Sequence, residues 1–227
     1  GWSADTLTED LDLSYRAFLK GWRFRYVVDV AVPGEVPPQL TAYKVQQARW
    51  AKGSTQCLKK YAGPLLRSNL NPLQKGMGLL HLGQYAIQPF VLLLFVLTPP
   101  ILGTDMLTRL PLGPLGIAGL APPIFMALGQ IALYRDWPRR LLYFPMLILI
   151  GTGMMLSNSR AVFEALTGWG GNVFKRTPKF RVVRPTDRLA GRRYALRPDW
   201  TTIGELLLGA YAVVGLGIAV EIGRASC

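Results

Sequence analysis

The sequence is poor in the side chains that build crosslinks and metal centres. Two cysteines, Cys57 and Cys227, stand among 227 residues, so there is neither a disulfide framework nor a cysteine zinc site. One histidine, His81, removes any multi-histidine metal site. Charge is scarce as well: 17% of residues are charged, against about 25% in an ordinary soluble domain. Acid is the scarcer sign, with 13 acidic residues facing 26 basic ones and a net charge of +13. No initiator methionine or signal peptide opens the chain. Gly1 begins within what reads as a folded domain, and the far end stops at Arg224–Cys227 just after an apolar run. The expectation is an internal piece of a longer protein.

Apolar residues are abundant, at 50% of the chain. That excludes a disordered chain, which needs low hydrophobicity, and argues against a cytosolic globule. High apolarity with high basicity points to a membrane protein with a cytoplasmic basic face. Nucleic acid is not an expected partner, because the basic residues cluster beside apolar runs rather than on a soluble recognition element. At about 100–200 residues per domain, the chain holds one or two domains.

Residues 1–40 look soluble. Leu11, Tyr15, Phe18 and Leu19 fall at helical spacing, predicting an amphipathic helix over about 9–20. Thr6 and Glu9 have capping-box spacing, and Gly21 is placed to stop the helix. Phe24–Val30 is rich in aromatic and β-branched residues and predicts a strand, followed by a Pro/Gly turn at 33–38. This alternation predicts an α/β fold for 1–40, of which only the last part is present. Residues 41–61 predict a helix with Gln46, Arg49, Trp50 and Gly53 on one face. Lys44, Lys52, Lys59 and Lys60 add positive charge, as in a helix lying at a membrane surface. The stretch 62–80 predicts a second interfacial element, so that 41–81 forms an interfacial region.

Three apolar runs predict membrane spans at about 82–103, 114–134 and 201–222. Twenty-two helical residues reach roughly 33 Å, enough for a hydrocarbon core of ~30 Å. Residues 170–200 hold nine basic residues against Asp187 and Asp199, and positive-inside bias places them in the cytoplasm. The turn with Arg135, Arg139 and Arg140 goes the same way. Both flanks of 141–156 then share one side, so 140–168 is expected to be an interfacial or re-entrant helix rather than a span. Gln84, Tyr85, Gln88 and Gln130 are polar positions within the apolar runs, placed for helix–helix contacts or for lining a channel.

Three short patterns carry chemistry. Thr8-Glu9-Asp10 at a helix start, taken alone, is a helix cap. Gln46-x-x-Arg49-Trp50 alone is a packed or solvated helix face. Phe174-Lys175-Arg176-Thr177-Pro178-Lys179 alone is a basic loop near anionic headgroups. In this order, followed by apolar runs, the chain resembles the processive family 2 β-glycosyltransferases: cellulose synthase catalytic subunits and cellulose synthase-like mannan and glucan synthases. The family's Thr-Glu-Asp context is met by Gly1-Trp2 through Asp10, its Gln-x-x-Arg-Trp by Gln46, Arg49 and Trp50, and its Phe-x-Val-Thr-x-Lys by Phe174, Thr177 and Lys179. Arg176 stands where the family has Val.

The resemblance implies a GT-A-like nucleotide-sugar domain joined to a helical transmembrane region with interfacial helices. It implies transfer from a nucleotide-diphosphate sugar, UDP-glucose or GDP-mannose, to a growing polysaccharide that is translocated across the bilayer. It makes Asp10 the general base, with Glu9 and Thr8 beside it; a carboxylate within hydrogen-bond reach can take the acceptor proton. It gives Arg49 and Gln46 to the diphosphate, and Trp50 and Trp2 to the substrates. Phe174, Arg176, Thr177 and Lys179 become a cytoplasmic gating loop. The implied divalent ion, Mg²⁺ or Mn²⁺, is bound by residues that precede Gly1 in the family, so no metal ligand is assigned here. A non-processive transferase acting on a lipid acceptor and a non-enzymatic transporter or scaffold are the competing readings.

Overall fold

The computed structural model describes residues 1–27, 29–102, 104, 112–174 and 199–225, with side chains described outside 112–121 and 223–225. These residues form two compact units. One comprises the described parts of Gly1–Phe90 and Leu156–Thr202, the other those of Val91–Met155 and Ile203–Cys227.

In the first unit, α1 spans Glu9–Leu19. Glu9, Asp10 and Asp12 lie in its first turn, where carboxylates oppose the positive end of the helix dipole. The anticipated Thr6–Glu9 capping box does not form. Thr8 is the N-cap without a side-chain cap bond, because its hydroxyl is turned inward, 3.7 Å from Cys57 Sγ. The other end matches its signal. Gly21 takes φ +87°, its N–H donates to the Phe18 carbonyl, and Trp22 N–H donates to Ala17. That is a Schellman closure, which favours glycine at the left-handed position.

The predicted strand is not found. Residues 22–27 are irregular and exposed, with Tyr26 at 87%, and no strand occurs among the described residues. A strand is stabilised by cross-strand neighbours, and the described residues supply none to this segment. The α/β expectation thus finds its helix here and not its sheet.

The second helix, α2, spans Leu40–Arg67 and so runs through Pro64. Proline removes one backbone bond, but Leu65 is fully buried and holds the last turn to the core. α3 (Pro72–Leu82) starts with a genuine capping box: Asn71 Oδ1 accepts Gln74 N–H at 2.8 Å and Gln74 Oε1 accepts Asn71 N–H at 3.2 Å. Tyr15, Cys57, Tyr61, Leu65 and Leu82 form the core where α1, α2 and α3 meet. Gly78 lets α3 close on α2, since a Cβ there would lie 2.8 Å from Leu65. The lone His81 is a packing partner: its Nδ1 lies 3.0 Å from the Tyr15 hydroxyl, which is also 3.0 Å from the Gly78 carbonyl.

Asp12 ties α1 to α2. It is fully buried and accepts hydrogen bonds from Lys60 Nζ, Tyr61 hydroxyl and Arg16 Nε. Burial alone would raise its pKa, but these donors outweigh it and the carboxyl is held below its usual range. Asp5, hydrogen-bonded by Lys60, is lowered to about 2. A carboxylate whose folded pKa is depressed stabilises the fold above the ordinary value of about 3.9 and loses that contribution as pH falls through the folded value. Amide protection over Leu11–Leu19, measured against the intrinsic exchange rate at each pH, is therefore expected to be high near pH 5 and to fall below about pH 4. Unchanged protection across that interval would contradict the Asp12 anchor.

The 22-residue run at 82–103 is not one helix. Gly83 closes α3, and turn bonds from Ala86 N–H to Gly83 and from Gln88 N–H to Tyr85 delay the start of α4 to Gln88–Leu102. Tyr85 is accordingly drawn into the first unit, where its hydroxyl donates to Gln47 Oε1 at 3.0 Å.

In the second unit, α5 spans Leu112–Leu133, α6 Trp137–Leu141 and α7 Phe144–Gly153. α8 (Met155–Thr167) belongs almost wholly to the first unit, and α9 (Trp200–Ala225) belongs to the second from Ile203 onward. Among the described residues, Trp200–Ile222 is the one helix long and apolar enough to cross a membrane, with mean hydropathy 2.0 and 6% of its apolar window buried. α4 packs on α9 through Tyr211, whose hydroxyl donates to the Val96 carbonyl at 2.6 Å, and at Gly215, where a Cβ would meet Pro99 at 2.7 Å.

Candidate functional site

Helix α2 is the spine of the site. Side chains three to eight residues apart along it hold successive segments of the first unit. Lys44 Nζ donates to Asp199 Oδ1 (3.2 Å) and to the hydroxyls of Thr201 and Thr202 (both 2.9 Å). Lys52 Nζ donates to Glu164 Oε2 (2.9 Å) and to the carbonyls of Gly171 (2.8 Å) and Trp169 (3.5 Å). Gln56 accepts Leu7 N–H at 3.0 Å and donates to Asn172 Oδ1 at 2.6 Å, and Asn172 donates to the Asp5 carbonyl. Lys59 donates to the last carbonyls of α8, at Ala165 and Leu166.

Of the lysines counted from sequence as a basic face, Lys44 and Lys52 are engaged inside the protein, whereas Lys60 is half-buried and Lys59 stays exposed. Lys44 and Lys52 are each 7% exposed. A buried ammonium must be paired and hydrogen-bonded, and these two have three oxygens apiece. Sequence reading had no means of finding their partners, which lie more than a hundred positions away. Asp12 was missed because Lys60 and Tyr61 lie 48 and 49 positions from it, although Arg16 at i+4 was a visible hint.

Small residues let the helices close. Ala51 packs against Ala161 and Val162 of α8, with Ala48 and Tyr85 beside them. After α8, Gly168, Gly170 and Gly171 all take positive φ, the left-handed turn that brings the Trp169 and Gly171 carbonyls onto Lys52. The same packing delivers the Thr8 segment. Gly53 lies so close to it that a Cβ would stand 2.5 Å from Thr8 Cγ2 and 2.9 Å from Thr8 Cβ.

These contacts enclose a cavity of about 330 Å³ lined by Leu7, Lys44, Ala48, Arg49, Lys52, Arg160, Glu164, Val173, Asp199 and Thr201, among others. Four cations and two carboxylates share it. Glu164 is held by Lys52 and by Arg160 Nε at 2.8 Å. Burial would raise the Asp199 pKa, but hydrogen bonds from Thr201 and Lys44 keep it below the usual range. Two guanidiniums stack on aromatic rings: Arg49 lies 4.7 Å from the Phe174 centroid and Arg160 lies 4.9 Å from that of Trp200. An excess of fixed cations around a small cavity suits an anion with several oxygens, such as a diphosphate.

The motif residues are brought together in part. Thr8 is buried against α2, and Arg49 meets Phe174. Gln46 is half-buried, and Trp50 is 40% exposed one residue past Arg49. Glu9, Asp10 and Trp2 are exposed. Asp10 lines neither this cavity nor the more open pocket beside Lys59 and Lys60. Its Oδ1 accepts Leu11 N–H at 2.8 Å. Arg176, Thr177 and Lys179 lie outside the described residues. Among the described residues no three His, Cys, Asp or Glu side chains gather where they could hold a metal ion. The carboxylates of the cavity are engaged by lysine or arginine. These residues do not fit a divalent cation.

Residues 1–170 match the family described as "Glycosyl transferase family group 2". A rice protein (Oryza sativa subsp. japonica) named "Probable glucomannan 4-beta-mannosyltransferase 7" is 35% identical over 74% of this chain and 28% of its own length. "Glucomannan 4-beta-mannosyltransferase 7" of Arabidopsis thaliana is 44% identical over 30% of this chain and 12% of its own. "Glucomannan 4-beta-mannosyltransferase 1" of Cyamopsis tetragonoloba is 40% identical over 36% and 15%. The chain thus spans less than a third of the length of these curated relatives. No solved structure matches it.

Proposed function

Because the chain belongs to glycosyl transferase family group 2, we propose that it is the acceptor and leaving-group side of a membrane-embedded, inverting β-glycan synthase, of the mannan-forming kind. The observation that carries this reading is the helix bearing Gln46, Arg49 and Trp50. One face of it packs on the Thr8 segment through Gly53, and Arg49 stacks on Phe174 at the edge of a cationic cavity.

The chemistry runs as follows. A donor sugar carried on a nucleoside diphosphate departs with a diphosphate, whose growing negative charge Arg49 meets with its planar fork. Gln46, one turn earlier, adds amide contacts. Asp10 takes the proton of the acceptor hydroxyl as the new glycosidic bond forms at the face opposite the leaving group. Trp50, and Trp2 near the chain start, offer flat apolar surfaces to the sugar rings. Phe174, Arg176, Thr177 and Lys179 cover the donor and exclude water. The divalent ion of the family, Mg²⁺ or Mn²⁺, is assigned to residues outside those described.

The membrane part of the proposal rests on α9, on the bent pair Trp137–Gly153 and Met155–Thr167 as a re-entrant or interfacial element, and on the apolar helices α4 and α5. The catalytic side faces the cytoplasm, and the product leaves across the bilayer. GDP-mannose is favoured over UDP-glucose as the donor because the relatives named above are mannosyltransferases. The deciding experiment uses membrane vesicles containing the full-length enzyme, fed radiolabelled GDP-mannose or UDP-glucose, with the product sized after β-mannanase digestion. A long, mannanase-sensitive polymer is expected. A single sugar on a lipid acceptor would replace this reading with the non-processive one, and no incorporation from either donor would favour a scaffold.

A further inference from the structure

The turn between α5 and α7 takes no part in the site above, yet it concentrates charge in an apolar setting. Residues 134–143 contain Arg135, Arg139 and Arg140 against one acid, Asp136, a net charge of +2. Three aromatic residues, Tyr134, Trp137 and Tyr143, share the same ten positions. The helices on either side leave large apolar side chains uncovered: Phe125 and Leu133 on α5 are 79% and 73% exposed, and Leu149 on α7 is 67% exposed.

The turn is ordered by its own contacts. Asp136 Oδ1 accepts Arg140 Nε at 2.9 Å, and the Arg140 guanidinium lies 3.7 Å from the centroid of the Tyr134 ring. A stacked guanidinium is held flat, which suits two-point contact with a phosphate. Trp and Tyr favour the boundary between hydrocarbon and water, where the apolar ring and the polar edge are both satisfied.

We propose that the Tyr134–Tyr143 turn binds the phosphodiester headgroup of an anionic phospholipid, with Arg135, Arg139 and Arg140 on the phosphate and α5 and α7 against the acyl chains. The apolar walls select a lipid over a free phosphate, and the net positive charge selects an anionic lipid over a zwitterionic one. This assignment rests on the membrane reading above.

The test uses full-length enzyme in nanodiscs of phosphatidylcholine and phosphatidylglycerol, with the lipids retained after gentle extraction counted by native mass spectrometry. Wild type is expected to retain phosphatidylglycerol in preference to phosphatidylcholine. Each arginine lost, in Arg135→Gln, Arg139→Gln and Arg140→Gln, is expected to reduce that preference by about fivefold. Raising salt to about 1 M is expected to weaken it as well. Transferase activity in detergent serves as the fold control; should the triple variant not fold, Arg139→Gln alone must still show the reduction. An unchanged preference in folded variants, or equal retention of both lipids by wild type, overturns the proposal. Extraction of the enzyme by alkaline carbonate, with neither lipid retained, sinks the membrane reading instead.

Discussion

Asp10→Asn in the full-length enzyme is expected to lower the rate of glycan synthesis by about 10²–10⁴-fold, the usual contribution of a positioned general base. The donor KM should barely move, because Asp10 lies outside the cationic cavity that Arg49 lines. The fold should survive. Asn keeps an oxygen for the Leu11 N–H, and losing one carboxylate from an exposed first turn costs about 0.3–1 kcal/mol. Glu9 and the buried Asp12 remain to oppose the helix dipole and to hold Lys60. Steady-state incorporation of labelled sugar, with KM and kcat separated, checks this. Wild-type kcat in a folded Asp10→Asn enzyme would remove Asp10 from the chemistry.

The second large effect is expected from one added methyl group. Gly53→Ala brings a gain and a loss. Replacing glycine inside a helix gains about 0.8–1.0 kcal/mol of helix propensity. Against this, the new Cβ would sit within 3 Å of three Thr8 side-chain atoms. Thr8 is β-branched and buried, so it has little room to rotate away. Overpacking of this kind costs about 1–3 kcal/mol, so a modest fall in Tm is the expected sign. The catalytic loss should be larger, since a displacement of about 1 Å in a reacting group can cost about 10²-fold in rate. Asp10 follows Thr8 by two residues and would move with it. Thr8→Ala in the same background removes the nearest clashing atoms and should restore much of the Tm. Unchanged Tm and activity in Gly53→Ala would show that the two motifs are not held together by this contact.

Local signals were the legible part of the sequence. The apolar period of 11–19 and the glycine at 21 gave α1 and its closure, because both act within a few residues. The spacing of Gln46, Arg49, Trp50 and Gly53 placed them on one helix, but only packing revealed what Gly53 is for. Two helix boundaries were misjudged. Pro64 reads as a breaker, yet buried Leu65 carries the helix past it. Gly83 lies within an uncharged run, yet closes α3 and shortens the run that follows. The strand failed because a strand is a property of two segments, and its neighbour is not among the described residues. Least legible were the buried lysines. Composition counts their charge, but whether a lysine faces a lipid or a buried partner depends on contacts that span up to 158 positions.

Lys44 and Lys52 are eight residues apart on α2, roughly 12 Å along its axis. One grips Asp199–Thr202 and the other Trp169–Gly171. The Trp169–Gly171 and Asp199–Thr202 segments are thus fixed to one rigid rod, and the spacing of the two lysines sets how far apart along it these anchors stand.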